Sequence, residues 1–189
     1  MAMAGWKPQQ MIDGISGIMS LAAASGEDLG TTSDIVTDAL TAFGLQAGDA
    51  GHFADVLAQA SANANTNVSM LGESFKYVAP VAGAMNYSVE DTSLALGLMA
   101  NASIKGSMAG TALKTSLANM AAPTDSMAAA MDKYGISLTD SEGNMKSLRG
   151  VIDNLRGSWV DFLRLSRQQS ASTISEKRPW RHVSNHQRQ

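Results

Sequence analysis

The chain has 189 residues, enough for one buried core or a core plus a tail, but only 5% are aromatic, so the core must rest on close helix contacts among small residues. The absence of cysteine excludes a disulfide framework, a thiolate zinc site and a cysteine nucleophile, and no run of about 18 apolar residues marks a transmembrane helix. The formal charge of −3 is uneven: residues 1–157 carry 8 Lys+Arg against 15 Asp+Glu, whereas 158–189 carry 6 against 2. The opening MAMAGWKPQQ leads into no apolar h-region, so no signal peptide is expected.

Pro8 suits a first helical turn, and Met11, Ile12, Ile15, Ile18, Met19 and Ala22 predict one apolar face ending at Ser25-Gly26. GEDLGTTSD reads as a loop closing on a cap at Thr32 or Ser33, followed by a second helix with Ile35, Val36, Ala39, Leu40 and Phe43 and a stop at Gly44. After a turn at Gly48–Gly51, Phe53, Val56, Leu57 and Ala60 predict a third helix, broken by the Asn-rich NANTNVS. A fourth helix from about Met70 carries Leu71, Phe75 and Val78 and meets Pro80, where a kink or an early end is expected because proline lacks the N–H.

Ser88 with Glu90 and Asp91 places a hydroxyl cap and two carboxylates at the start of a fifth helix, which carries Leu94, Leu98 and Met99 with Ala95 and Ala102 beside them. Ser103–Gly106 interrupts the pattern. A sixth helix follows, with Met108, Thr111, Ala112, Thr115 and Ala118 to one side, Leu113, Leu117 and Met120 to the other, and Pro123 at its end. Gly106 and Gly110, four residues apart, share a face on which another backbone could come close. Thr124 or Asp125 caps a short helix with Met127, Ala130 and Met131, stopped at Gly135. Ile136-Ser137-Leu138, the turn residues Asp140 to Asn144 and Met145 then predict a small β-hairpin or extended arm, and Leu148, Val151, Ile152 and Leu155 a last helix.

The string IKGSMAGTALKTSLANMAAP at Ile104–Pro123 resembles the signature of the core region of phage tail tape-measure proteins, with Ser103 where that family usually has Gly and Lys114 where it usually has Arg. Further wording follows the same family in order: AGWKPQQM, LAAASGEDLGTTSDIVTDALTAFGL at Leu21–Leu45, DVLAQASANANTNVSMLGESFKYVAPVAGAM at Asp55–Met85 and YGISLTDSEGNMKSLRGVIDNL at Tyr134–Leu155. The expected organisation is an all-α multi-helix domain over 5–157, with one small β-hairpin and without the family's N-terminal part, then a basic tail over 158–189 that is either out of frame or disordered. The resemblance implies a structural role in tail assembly and tail-length determination, with tail tube and tail-assembly proteins as partners and self-association possible. For the full-length protein it further implies DNA passage through the host envelope with contact to the host membrane, and residence in the bacterial cytoplasm during assembly and in the virion tail afterwards. Even fully helical, this chain would reach only about 280 Å at the α-helical rise, short for a ruler. A stand-alone helical interaction module and a membrane-active helical segment are the alternatives.

No enzyme, cofactor or metal is expected. Gly106–Ser116 fails the phosphate-loop spacing because Lys114 does not directly follow a glycine, and Asp140-Ser141-Glu142-Gly143 has its glycine too early for a calcium loop. His52, with Asp55 nearby, has no third partner and reads as a surface or capping residue; His182 and His186 lack the intervening glutamate of a zinc helix. Glu27-Asp28 and Glu90-Asp91 fall at helix starts, where capping accounts for them. The acidic domain offers no basic face for specific nucleic-acid contact. The residues singled out are those of a structural motif: Gly106, Gly110, Thr111, Leu113 and Pro123.

Overall fold

Capping residues and left-handed glycines divide the chain into short helices. The computed structural model describes residues 1, 5–142 and 146–158; the tail from 159 on, with His182 and His186, lies outside the described residues. The order is α1 Pro8–Ser25, α2 Leu29–Phe43, a 3-10 turn Ala47–Asp49, α3 Ala50–Asn63, α4 Val68–Ala84, α5 Val89–Asn101, α6 Gly106–Ala121 and α7 Asp125–Tyr134, with α8 at 148–158. Asp28, Asn67, Ser88 and Thr124 each accept a backbone N–H three residues on, and α1, α2 and α7 stop at Gly26, Gly44 and Gly135 in the left-handed conformation.

From α1 to α6 each helix packs most extensively on a helix two places away, in the pairs α1 with α3, α2 with α4, α3 with α5 and α4 with α6. Odd helices therefore form one layer and even helices a second. The three hairpins α1–α2, α3–α4 and α5–α6 repeat at intervals of about 40 residues, a spacing at which helical hairpins stack as tandem units. Between the layers Phe43, Phe53 and Phe75, one each from α2, α3 and α4, meet edge to face at centroid distances of 5.8 and 5.7 Å. Ile18, Leu21, Leu40, Leu57, Leu71, Leu96 and Leu117 complete the buried core. Beyond the hairpins, α7 buries no side chain. The start of α8 is held by Leu148, which is buried and whose N–H donates to Asp91 Oδ2 at 3.1 Å.

Several sequence expectations need correction. On α1 the buried residues are Gly14, Gly17, Ile18 and Leu21, while Ile12 and Met19 are 66% and 54% exposed. The helix has turned its glycine edge to α3, because a side chain at Gly17 would lie 2.6 Å from the Gly51 backbone. α5 likewise buries Thr92, Ser93, Leu96 and Gly97, leaving Leu98 half exposed. α2 starts at Leu29 with Asp28 as cap, and Thr32 lies buried within it, its hydroxyl donating to Asp28 O at 2.9 Å. α4 continues past Pro80 to Ala84. No β-hairpin is seen among the described residues: Thr139 occupies a bridge position, and Lys146 N–H donates to Leu138 O at 2.7 Å. The first arm is also held by a side chain, Ser137 N–H donating to Asn154 Oδ1 at 3.0 Å and Asn154 Nδ2 donating to Gly135 O at 3.1 Å. Residues 143–145 of the expected turn are outside the described residues.

Candidate functional site

The stretch Ser103–Pro123 is organised by its contact with α4. The α5–α6 connection turns through Ser103 (φ 67°) and Gly106 (φ 57°), the second a conformation glycine adopts without steric cost. Ser103 N–H donates to Ala100 O at 3.0 Å and Ile104 N–H to Met99 O at 2.9 Å, which closes the end of α5. Across the seam, the buried Ser74 hydroxyl reaches Gly106 O at 2.8 Å and Met70 O at 2.9 Å, so one proton is shared between the new helix and its own. One turn on, a Cβ built at Gly110 would lie 2.9 Å from the Ser74 Cα and carbonyl carbon, and closer still to the carbonyl oxygen. Backbone meets backbone there. Leu117 is fully buried, Leu113 and Met120 lean on the core, and Thr111 faces out. Pro123 lines an open groove of about 520 Å³ with Met85, Met120, Met131, Ile136 and Leu138.

Such an arrangement positions helices and brings no reactive groups together. Among the described residues no three metal-ligating side chains converge. The profile of the phage-related minor tail protein family matches residues 1–176. The chain belongs to that family. The chain is 41% identical over 92% of its length to the tape measure protein of Pneumococcus phage Dp-1, and 26% identical over 75% of its length to the probable tape measure protein of Escherichia phage P2. It spans 15% and 17% of those two proteins. No solved structure matches it.

Around the start of α5 the chain gathers a second set of polar contacts. His52 Nε2 and Glu90 Oε1 pair from α3 to α5, with both side chains at least half exposed. Glu90 is held below the usual carboxylate range, first by its own backbone N–H at the helix start and less by His52. Asp91, which the sequence assigns to the helix dipole, also accepts the α8 bond from Leu148. Beside it the Tyr87 hydroxyl is buried with no hydrogen-bond partner among the described residues, and burial, then the Asp91 charge, pushes its pKa up. Of the Glu27-Asp28 pair, Asp28 is the cap: it accepts the Thr31 N–H at 2.9 Å, which lowers its pKa. The cross-element roles of His52–Glu90 and Asp91 were not visible in sequence, because the pairs are separated by 38 and 57 residues.

Proposed function

We propose that this chain is a structural module of a tape-measure protein, acting within a much longer polypeptide in phage tail assembly and in the setting of tail length. The observation that carries the reading is the 41% identity, over 92% of the chain, to a protein named as a tape measure. The partners are tail tube and tail-assembly proteins and further copies of the same polypeptide, in the bacterial cytoplasm during assembly and in the virion tail afterwards. DNA passage through the host envelope belongs to the complete protein. The module runs from 5 to 157, and Gly106, Gly110, Thr111, Leu113 and Pro123 are its structural motif. The α4–α6 seam, built on Gly106 and Gly110, supports that assignment. No described helix is long and apolar enough to cross a membrane.

The test is to delete the matched stretch from the tape measure gene of phage Dp-1 and to image the particles by electron microscopy. Missing tails, or tails of irregular length, are expected. Tails of normal number and length would overturn the reading.

A further inference from the structure

We infer that this module stands in the tail as a folded stack of hairpins, adding length by helix diameters, and is not a stretch of the extended tape. The inference rests on the tape-measure reading. An extended tape gains length by the α-helical rise, about 1.5 Å per residue, so a hairpin of about 40 residues drawn out as one helix would add about 60 Å. In the stack the same hairpin adds one helix to each layer, or about 10 Å. Across α1 to α6 the difference is about 30 Å against about 170 Å.

Two independent features hold the short form. The first is written into the chain: Asp28, Asn67, Ser88 and Thr124 start new helices, and the glycines at 26, 44 and 135 end old ones in the left-handed conformation. A continuous rod would have to pass through each of these breaks. The second is the seams: Gly17 on the Gly51 backbone and Gly110 on the Ser74 backbone are fits between separate helices that a rod would leave unused. The three-phenylalanine cluster joins α2, α3 and α4 and would be exposed in a rod.

The experiment compares excisions in the Dp-1 tape measure gene. Removing the hairpin that corresponds to α3–α4 is expected to shorten the tail by about 10 Å or less; removing an equal length of helical sequence outside the matched stretch is expected to shorten it by about 60 Å. Equal shortening of about 60 Å by both excisions would overturn the inference while leaving the tape-measure reading intact. A tail length indifferent to the outside excision would overturn the tape-measure reading itself. Should the hairpin excision block assembly, duplicating the hairpin gives the same discrimination, as a gain of about 10 or about 60 Å. For the 189-residue chain, small-angle scattering should give a radius of gyration of about 16 to 20 Å. A value near 50 Å, that of a rod formed by α1 to α6, would overturn the stacked form directly.

Discussion

Replacing Gly110 by alanine tests the tightest glycine contact among the described residues. The added methyl would lie 2.9 Å from two Ser74 backbone carbons, where carbon atoms rest at about 3.5 to 4.0 Å, so α6 must withdraw from α4 by the better part of an ångström. The obstruction is backbone and cannot rotate away, which places the cost at about 2 to 3 kcal/mol within the range for overpacking. Alanine in a helix interior returns about 1 kcal/mol relative to glycine, leaving a net loss of about 1 to 2 kcal/mol. Urea unfolding followed by circular dichroism reads this as a midpoint lower by about 0.5 to 1 M, for a slope near 2 kcal/mol/M. Gly51→Ala is the control, since a Cβ at that position meets nothing within 4 Å and should stabilise by up to about 1 kcal/mol. If both variants gain stability alike, α6 does not lie on the α4 backbone and the account of the seam is wrong.

Asn67→Ala removes the side chain that accepts the Met70 N–H at 2.8 Å and should cost about 1 kcal/mol in the same unfolding assay; no change would mean the loop caps α4 by other means. The carboxylates of Asp28 and Glu90 are depressed in the folded state, so their stabilisation is complete above their unfolded values, near 4, and is lost as pH falls through the folded ones. Asp28→Asn keeps a capping oxygen and loses the titration, so its melting temperature should fall less steeply than the parent's below about pH 4; parallel curves would count against the Asp28 share. The chain has no cysteine, and a Cβ at Gly97 would lie 3.3 Å from the Ala64 Cβ, close to disulfide separation. The double variant A64C/G97C should therefore form an intramolecular bridge on oxidation and gain about 2 to 4 kcal/mol over its reduced form, with failure to bridge arguing against the α3–α5 register.

Helix positions were legible because their starts and stops are local chemistry: Ser88 and Thr124 cap the helices expected of them, and Gly44 and Gly135 end theirs. The start of α2 was set too late because two candidate caps, Thr32 and Ser33, stand four and five residues downstream of Asp28, the aspartate that takes the role. Thr32 turns its hydroxyl back to a carbonyl one turn earlier and so becomes a helix interior residue. That no β-hairpin is seen among the described residues has a related cause. Alternating residues at 136–138 are compatible with a strand, but the backbone there bonds to Asn154 on a later helix, which no local pattern announces.

Which face each helix buries was the least legible feature, and α1 shows why. Periodicity ranks positions by apolar side chain, and by that measure Ile12, Ile15 and Met19 outrank Gly14 and Gly17. Burial follows contact with a neighbour, and the neighbour here offers the backbone of Ala50 and Gly51, against which only a glycine edge fits. The same inversion recurs at α6, where Gly110 is buried and Met108 is 65% exposed. In a chain with so few aromatic residues, close backbone approach supplies many short-range contacts that larger side chains would supply elsewhere. A glycine flanked by apolar residues in such a chain therefore marks the buried edge better than the apolar residues do. The rule has a testable limit within this molecule: at Gly17 an alanine must push against the Gly51 backbone, whereas at Gly51 it meets open space, so one contact contains one required glycine and one replaceable one.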